Sequence, residues 1–269
     1  MARSEFEKQN KHAIGLAIFA AVLYGVSSPL SKLLLVKIPP TFMAALLYLG
    51  AGAGMLLVDW YTRFTELERM EAKMTGQEMP YIVGMVGLDI AAPILLMLGL
   101  SRTSAENAAL LNNFEIVATS LLAMFIFGEA VGRRMWLSIT LITFASVILS
   151  VDSFRHLTLS PGSLFILAAC LCWGLENNCT RMLSLKDPLQ IVVIKGLGSG
   201  LGALLIAWAT RAFIWESFYI VMALLLGFVA YGLSIFSYVS AQRALGAART
   251  SAYYAAAPFI GVLFSRIIL

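Results

Sequence analysis

The chain has 269 residues, of which 60% are hydrophobic and 13% are charged, and its mean hydropathy is +0.85. The polar side chains are too few to cover the surface of a soluble domain. The composition therefore excludes a soluble globular protein and indicates a membrane protein. The net charge of +4 is modest, and we interpret it as loop charge that sets topology and not as a nucleic-acid binding surface.

The apolar segments predict nine membrane-spanning helices, each near the ~20 residues needed to cross a hydrocarbon core. The first segment is too long for the apolar part of a signal peptide, so we expect it to be retained. Lysine and arginine are more frequent on the side that holds the N-terminus, which predicts a cytoplasmic N-terminus. The predicted spans are 13–35, 40–58, 80–100, 104–127, 134–151, 161–183, 188–210, 217–241 and 248–269.

The sixth span carries a polar stripe along residues 168–181. Its members are spaced i, i+3, i+4 and i+7 and therefore share one helix face. An acid near mid-bilayer costs roughly 2.5–3.5 kcal/mol to insert, so this face should contact protein or a water-filled cavity. A substrate pathway and a hydrogen bond between helices are the two interpretations. The stripe consists of Trp173, Glu176, Asn177 and Thr180.

The first span repeats this face 149 residues earlier, and the second, fourth, seventh and ninth spans also align in pairs at offsets of 148 and 142. The second and seventh spans each carry three glycines, within 50–54 and 198–202, which predicts close packing. The repeat unit contains five spans, and an odd number inverts the second copy, as in secondary transporters. The expected units are 1–152 and 153–269, the second lacking its fifth helix. The repeated face consists of Tyr24, Ser27, Ser28 and Ser31.

Isolated charges lie within other predicted spans. Asp89 precedes Pro93 by one turn, and both a proton or cation site and a buried hydrogen bond are open there. Glu115 shares a face with Asn112, and we favour a proton or cation site for it over a structural role. Lys195 needs an acidic partner within the membrane. The candidates for that partner are Glu176 and Glu115.

Aromatic residues lie in the helices expected to surround a cavity. Beside carboxylates, such rings suit amines and other organic cations through cation–π contacts, although packing in the core is the alternative for each of them. Ser234 and Tyr238 continue the face of Tyr231. The predicted ring set is Tyr24, Trp173, Tyr231, Tyr253 and Tyr254.

Catalytic chemistry is not indicated. Both histidines, His12 and His156, fall in predicted loops, and no zinc-protease motif or paired aspartates occur in the spans. The three cysteines lie in one helix without metal-binding spacing. We therefore expect no enzyme activity, no metal site and no cofactor.

The opening helices of the two five-helix halves carry Tyr24-Gly25 and Trp173-Gly174, and Gly128-Glu129 closes the fourth span. In these motifs and their order the chain resembles the EamA branch of the drug/metabolite transporter superfamily. The resemblance implies a ten-span exporter or exchanger whose central cavity is lined by the first, third, fourth, sixth, eighth and ninth helices. The chain departs from it in lacking a tenth span. It also has Ile116 where the family often has proline, which predicts a straighter fourth helix than the ninth, which keeps Pro258.

Together these features predict an all-α polytopic protein of the inner membrane that exports a small polar metabolite by alternating access, coupled to protons. The metabolite would be an amino acid, an amine or a related compound. An uncoupled facilitator and a truncated, non-transporting subunit are the alternatives. The expected partners are the small-molecule substrate and membrane lipid, with a homodimer left open and no nucleic acid.

Overall fold

The computed structural model describes residues 2–64, 74–150 and 161–268, and all regular elements in these ranges are helical. A short 3₁₀ turn, Gly76–Glu78, precedes α4, and a π-helical segment, Gly227–Leu233, joins α10 to α11. The helices are α1 Ala2–Gly25, α2 Ser27–Leu34, α3 Pro40–Phe64, α4 Met79–Ser101, α5 Ala105–Leu111, α6 Phe114–Phe125, α7 Arg133–Ser150, α8 Pro161–Leu183, α9 Pro188–Ala209, α10 Ser217–Leu226, α11 Ser234–Leu245, α12 Ala247–Tyr254 and α13 Ala256–Ile268.

Each predicted span coincides with helix in the described ranges, so the all-α polytopic fold class is confirmed. Six helical stretches there are long and apolar enough to cross a membrane. The predicted spans 104–127, 134–151 and 161–183 are not among these six. The first of them is divided between α5 and α6, and the last is α8, which carries the polar stripe. The six stretches are Gln9–Leu34, Pro40–Phe64, Gly76–Ser101, Pro188–Ala209, Ser217–Leu245 and Ala247–Ile268.

Capping residues fix where the helices begin. Pro188 opens α9, and the Asp187 carboxylate accepts a hydrogen bond from the Leu189 amide at 2.9 Å. Ser104 caps α5 in the same way, accepting from the Asn107 amide at 3.1 Å. Both caps satisfy amides that have no partner inside the helix, so the short connections between spans are set by local chemistry.

The contacts between helices repeat when the first four spans are exchanged with the sixth to ninth. This exchange turns the pair α1–α11 into α8–α4, and both pairs are in contact. It likewise turns α5–α13 into α12–α6, which are also in contact, and it leaves the extensive α3–α9 contact unchanged. A two-fold pattern of this kind is expected of two inverted halves packed face to face.

The α3–α9 crossing brings the backbones of the two halves close together. A Cβ on Gly52 would lie 2.5 Å from the backbone nitrogen of Leu197, and a Cβ on Gly196 would collide with the backbone of Gly52. Each of the two helices was predicted to pack closely against a neighbour, and this is confirmed; that they are each other's neighbour is seen only in the structure. The crossing lies at Gly196, one turn before Gly200, which contacts Leu49.

Two helices are interrupted at equivalent positions. The fourth span breaks at Asn112 and Asn113, and the ninth breaks at Ala255, which is 142 residues after Asn113. The expectation that the fourth helix stays straighter because it has Ile116 in place of proline is therefore wrong. Turn-like hydrogen bonds, from the Asn113 amide to the Leu110 carbonyl and from the Glu115 amide to the Asn112 carbonyl, break this helix without proline.

Exposed aromatic side chains lie near the ends of the long helices. Trp60 and Phe64 occupy the end of α3, while Trp208, Trp215 and Phe218 lie at the end of α9 and around the start of α10. Tryptophan and other aromatic residues are enriched where a membrane meets water. These two groups therefore mark the two interfaces of a membrane-embedded bundle.

Candidate functional site

A cavity lies between the two halves. Helices α1, α3, α6, α8 and α9 contribute to its wall, together with the π-helical segment, α11 and α12. Its polar lining consists of Glu115, Glu176, Asn177 and Lys195, and its aromatic lining consists of Tyr24, Tyr48, Trp173, Tyr231, Tyr238 and Tyr254.

One side of the cavity is a buried ion-pair cluster, which we call the lysine triad and define as Lys195, Asp89 and Glu176. The Lys195 ammonium lies 2.9 Å from the Glu176 carboxylate and 3.1 Å from the Asp89 carboxylate. The three residues are 5%, 0% and 1% exposed, in the order Lys195, Asp89, Glu176. With both acids ionised, the triad has a formal charge of −1 in a region that excludes solvent.

Neighbouring side chains hold the acids of the lysine triad in place. The Tyr48 hydroxyl donates to Asp89 Oδ1 at 3.0 Å, and the Trp173 indole N–H donates to the same oxygen at 3.2 Å. The Thr180 hydroxyl donates to Glu176 one turn along α8. Such hydrogen bonds lower the free energy of buried charge, so they fix the geometry that Lys195 meets.

A second acid faces the cavity in a different setting. Glu115 lies in the first turn of α6, just after the break in the fourth span, and is 9% exposed. Its Oε1 accepts a hydrogen bond of 2.7 Å from the Asn177 amide, which also donates to the Thr119 hydroxyl at 3.2 Å. Among the described residues, the buried ammonium of Lys195 pairs with Asp89 and Glu176 and not with Glu115.

Tyrosines join the two acidic settings into one wall. The ring of Tyr24 lies 5.3 Å from that of Tyr231 and 5.5 Å from that of Tyr254, measured between centroids. Tyr238 stacks edge-on against Tyr254 at 4.9 Å, and Tyr48 against Tyr231 at 5.5 Å. These separations are typical of favourable aromatic pairs, so the wall is a packed unit of rings from four helical segments and the π-helical segment.

A smaller cavity adjoins this wall where the fourth and ninth spans break. Glu115, Tyr24 and Tyr254 line both cavities. Asn112 lies in the smaller one, and its carbonyl and side-chain oxygens face the Cys170 thiol at 3.8 Å. Discontinuous helices at mid-membrane depth commonly border the binding sites of transporters.

The structure brings most of the predicted site residues together. Asp89 lies behind Lys195, and Asn112 lies in the smaller cavity. The predicted pairing of Lys195 with Glu176 is confirmed, whereas Glu115 is not its partner and Asp89 is. The predicted residues that line the main cavity are Tyr24, Glu115, Trp173, Glu176, Asn177, Lys195, Tyr231 and Tyr254.

Two predicted residues line neither cavity. Ser27 is buried in the first turn of α2 and lines neither cavity. Tyr253 packs against an apolar cluster that includes Ala17 and Leu245. Adjacent residues of a helix point about 100° apart, so when Tyr254 faces the cavity its neighbour cannot.

Two lining residues were not predicted. Tyr48 lies in the second span, where the glycines drew attention to backbone packing and not to a hydroxyl group. Ile235 is an apolar residue at the start of α11 and has no distinguishing feature in the sequence. The hydroxyl of Tyr48 inside an apolar helix was the one signal that could have indicated its contact with Asp89.

Comparison with known proteins is consistent with this architecture. The model of the EamA-like transporter family matches residues 11–151 and 160–269. An uncharacterized transporter of Methanothermobacter thermautotrophicus is 25% identical over 94% of this chain and 78% of its own length. The uncharacterized transporter YyaM of Bacillus subtilis is 22% identical, over 94% of this chain and 83% of its own.

A crystal structure of another protein shares the fold, with a TM-score of 0.74 at 16% identity, covering 95% of this chain and 87% of that one. The family match spans both halves around the cavity, and the named relatives are transporters. The chain is therefore a multi-pass membrane protein that belongs to the EamA-like transporter family of the drug/metabolite transporter superfamily.

Proposed function

We propose that the protein is a secondary active transporter that exports a small polar metabolite in exchange for protons. The observation that carries the proposal is the sharing of one ammonium, Lys195, by two buried carboxylates, Asp89 and Glu176. Buried acids in membrane proteins are common sites of proton binding because an unneutralised charge is costly there. In this proposal the two parts that move relative to each other are the halves 1–152 and 153–269.

The charge of the lysine triad provides the coupling. One proton neutralises its surplus negative charge, and a cationic group in the cavity offsets the same charge electrostatically. A bound cation makes the surroundings of the triad more positive and lowers its affinity for the proton, so proton and cation compete. Competition of this kind produces exchange, because the cavity changes the side to which it is open only with the proton or the cation bound.

Alternating access needs contacts between the halves that can open. On the side of the N-terminus, Lys186 pairs with Glu78 at 2.9 Å. On the same side, the Glu129 carboxylate accepts hydrogen bonds from the amides of Ala247 and Ala248 at 3.1 and 3.2 Å. Both contacts join the first half to the second, and both have to break before the cavity opens on that side.

The proposed location is the inner membrane with the N-terminal side in the cytoplasm. The charge distribution of the loops supports this orientation through the positive-inside rule. Outward-facing apolar side chains, such as Phe144 and Leu205, are the proposed lipid contacts. A homodimer is a further proposal, to be tested by the mass of the purified protein in lipid nanodiscs.

Proteoliposomes test the proposed function. Protein is reconstituted with a trapped pH indicator and an imposed pH gradient, and amino acids, polyamines and quaternary ammonium compounds are added one at a time. A substrate should accelerate collapse of the gradient with the wild type and with the exposed-site control Glu216→Gln, and not with Glu176→Gln. Substrate flux that does not depend on the pH gradient would identify an uncoupled facilitator and contradict proton exchange.

A further inference from the structure

Glu115 differs from the other buried acids because its described partners are neutral. Its carboxylate accepts from the Asn177 amide, while Asp89 and Glu176 occupy the ammonium of Lys195. A buried carboxylate without a positive partner is destabilising, and in a cavity wall a bound cation can supply that partner. The position of Glu115 in both cavities makes it accessible to such a ligand.

The surfaces next to Glu115 are aromatic. Tyr24 and Tyr254 line both cavities with it, and Tyr238 packs against Tyr254 with a centroid distance of 4.9 Å. Ring faces attract ammonium groups, most strongly where water is excluded. A carboxylate that lines the same cavity as several tyrosines thus presents two independent attractions for the same kind of ligand.

The basic residues of the site restrict the ligand further. Lys195 is the one basic side chain among the described residues that line the two cavities, and two carboxylates already contact it. A ligand carboxylate would enter beside Glu115 and Glu176 without a free cation to meet it. Like charges at short range in a low-dielectric site repel strongly, so anionic and zwitterionic ligands are disfavoured.

We infer that Glu115, Tyr24, Tyr238 and Tyr254 form the binding site for the ammonium group of an organic cation that carries no carboxylate. This inference rests on the proposed transport function and narrows its substrate class from small polar metabolites to amines and quaternary ammonium compounds. The lysine triad then binds the exchanged proton, and Glu115 binds the substrate.

Three ligands of nearly equal shape test the inference. Choline carries the charge, 3,3-dimethyl-1-butanol replaces its nitrogen by carbon and is neutral, and glycine betaine adds a carboxylate. Binding is measured by isothermal titration calorimetry on protein in lipid nanodiscs, where both faces of the protein meet the same buffer and no pH gradient exists. We expect choline to bind and both analogues to bind at least about 10-fold more weakly, the effect of one charge-assisted contact.

Matched variants locate the site. Glu115→Gln keeps an oxygen for the Asn177 amide and should weaken choline binding about 10- to 100-fold, whereas Glu216→Gln, at an exposed position, should not change it. Tyr254→Phe keeps the ring and should remain within a few fold of the wild type. Tyr254→Leu should weaken binding about 2- to 30-fold. A size-exclusion profile that matches the wild type shows that each variant is folded.

The outcomes separate this inference from the proposed function. If methylammonium, tetramethylammonium, choline, putrescine and phenylethylamine all fail to bind the wild type, or if glycine betaine binds as tightly as choline, the inference is overturned. Proton-coupled transport of another solute would then still support the proposed function. Equal choline affinity of the wild type and folded Glu115→Gln would overturn the assignment of the site.

Discussion

Glu176 and Glu115 line the same cavity, yet the protein treats their charges differently. Glu176 contacts the Lys195 ammonium at 2.9 Å, and Lys195 in turn contacts Asp89. Glu115 contacts the Asn177 amide at 2.7 Å. The charge of Glu176 is already compensated by Lys195, and removing that partner would leave it buried and unpaired. The amide that contacts Glu115 is neutral, so the charge of Glu115 remains available to a cation in the cavity. The difference separates a coupling role from a binding role within one chamber.

The largest effect is expected from removing the shared cation. Lys195→Met leaves Asp89 and Glu176 adjacent and uncompensated, and loss of one partner from a buried pair costs about 3–5 kcal/mol. Thermal unfolding in detergent should show a large fall in midpoint, together with loss of transport. The neutral triple variant Asp89→Asn, Glu176→Gln, Lys195→Met should recover most of the stability without coupling. Wild-type stability and transport in Lys195→Met alone would refute the pairing.

The next largest effects are expected from replacing each of the two cavity acids, Glu176 and Glu115, by glutamine. Glu176→Gln should abolish the response of transport to a pH gradient while retaining ligand exchange at equal pH. Glu115→Gln should lose about 10-fold or more in choline affinity, because a charge-assisted contact is removed. Counterflow in proteoliposomes measures exchange, and calorimetry measures affinity. Identical phenotypes for the two variants would show that the acids act as one site.

A smaller effect is expected from the hydrogen bonds around the lysine triad. Tyr48→Phe removes the hydroxyl that donates to Asp89 at 3.0 Å and should destabilise the fold by about 0.5–1.5 kcal/mol. Choline affinity should stay near the wild-type value, because Tyr48 does not belong to the proposed ammonium site. The thermal midpoint and a calorimetric titration of one preparation check both statements. A strong loss of affinity without loss of stability would place Tyr48 in the ligand site.

A similarly small effect is expected at an acid outside the cavity. Glu129 accepts from the amides of Ala247 and Ala248 at the start of α12, and Glu129→Ala should cost about 0.5–2 kcal/mol, as for other helix caps. Glu129→Gln, which keeps one acceptor, should cost less. Denaturation of the two variants in the same detergent compares them. A change in the pH dependence of transport in Glu129→Gln would extend the coupling role beyond the lysine triad.

Much of the fold follows from the sequence because helical periodicity and repeat offsets are properties of the chain alone. The stripe at Trp173, Glu176 and Asn177 predicts a face turned towards protein, and the glycines of the second and seventh spans predict close packing of both helices. The repeat offset of 142 aligns the breaks at Asn113 and Ala255, although only the latter lies near a proline.

The sequence did not show which side chains contact one another within the site. Spacing along one helix does not say which helices are neighbours, so the contact of Lys195 with Asp89 becomes evident only when α4, α8 and α9 pack together. The choice between Tyr253 and Tyr254 depends on the rotation of α12 about its axis, and a few tens of degrees decide which ring enters the cavity.

Proton release on ligand binding tests the central claim most directly. Calorimetric titration of choline is repeated in buffers with different ionisation enthalpies, which gives the number of protons released per ligand bound. The account predicts release of close to one proton by the wild type, and binding with almost no release by Glu176→Gln. Choline binding without proton release in the wild type, or unchanged release in Glu176→Gln, would contradict the assignment of the proton to the lysine triad and of the ligand to Glu115.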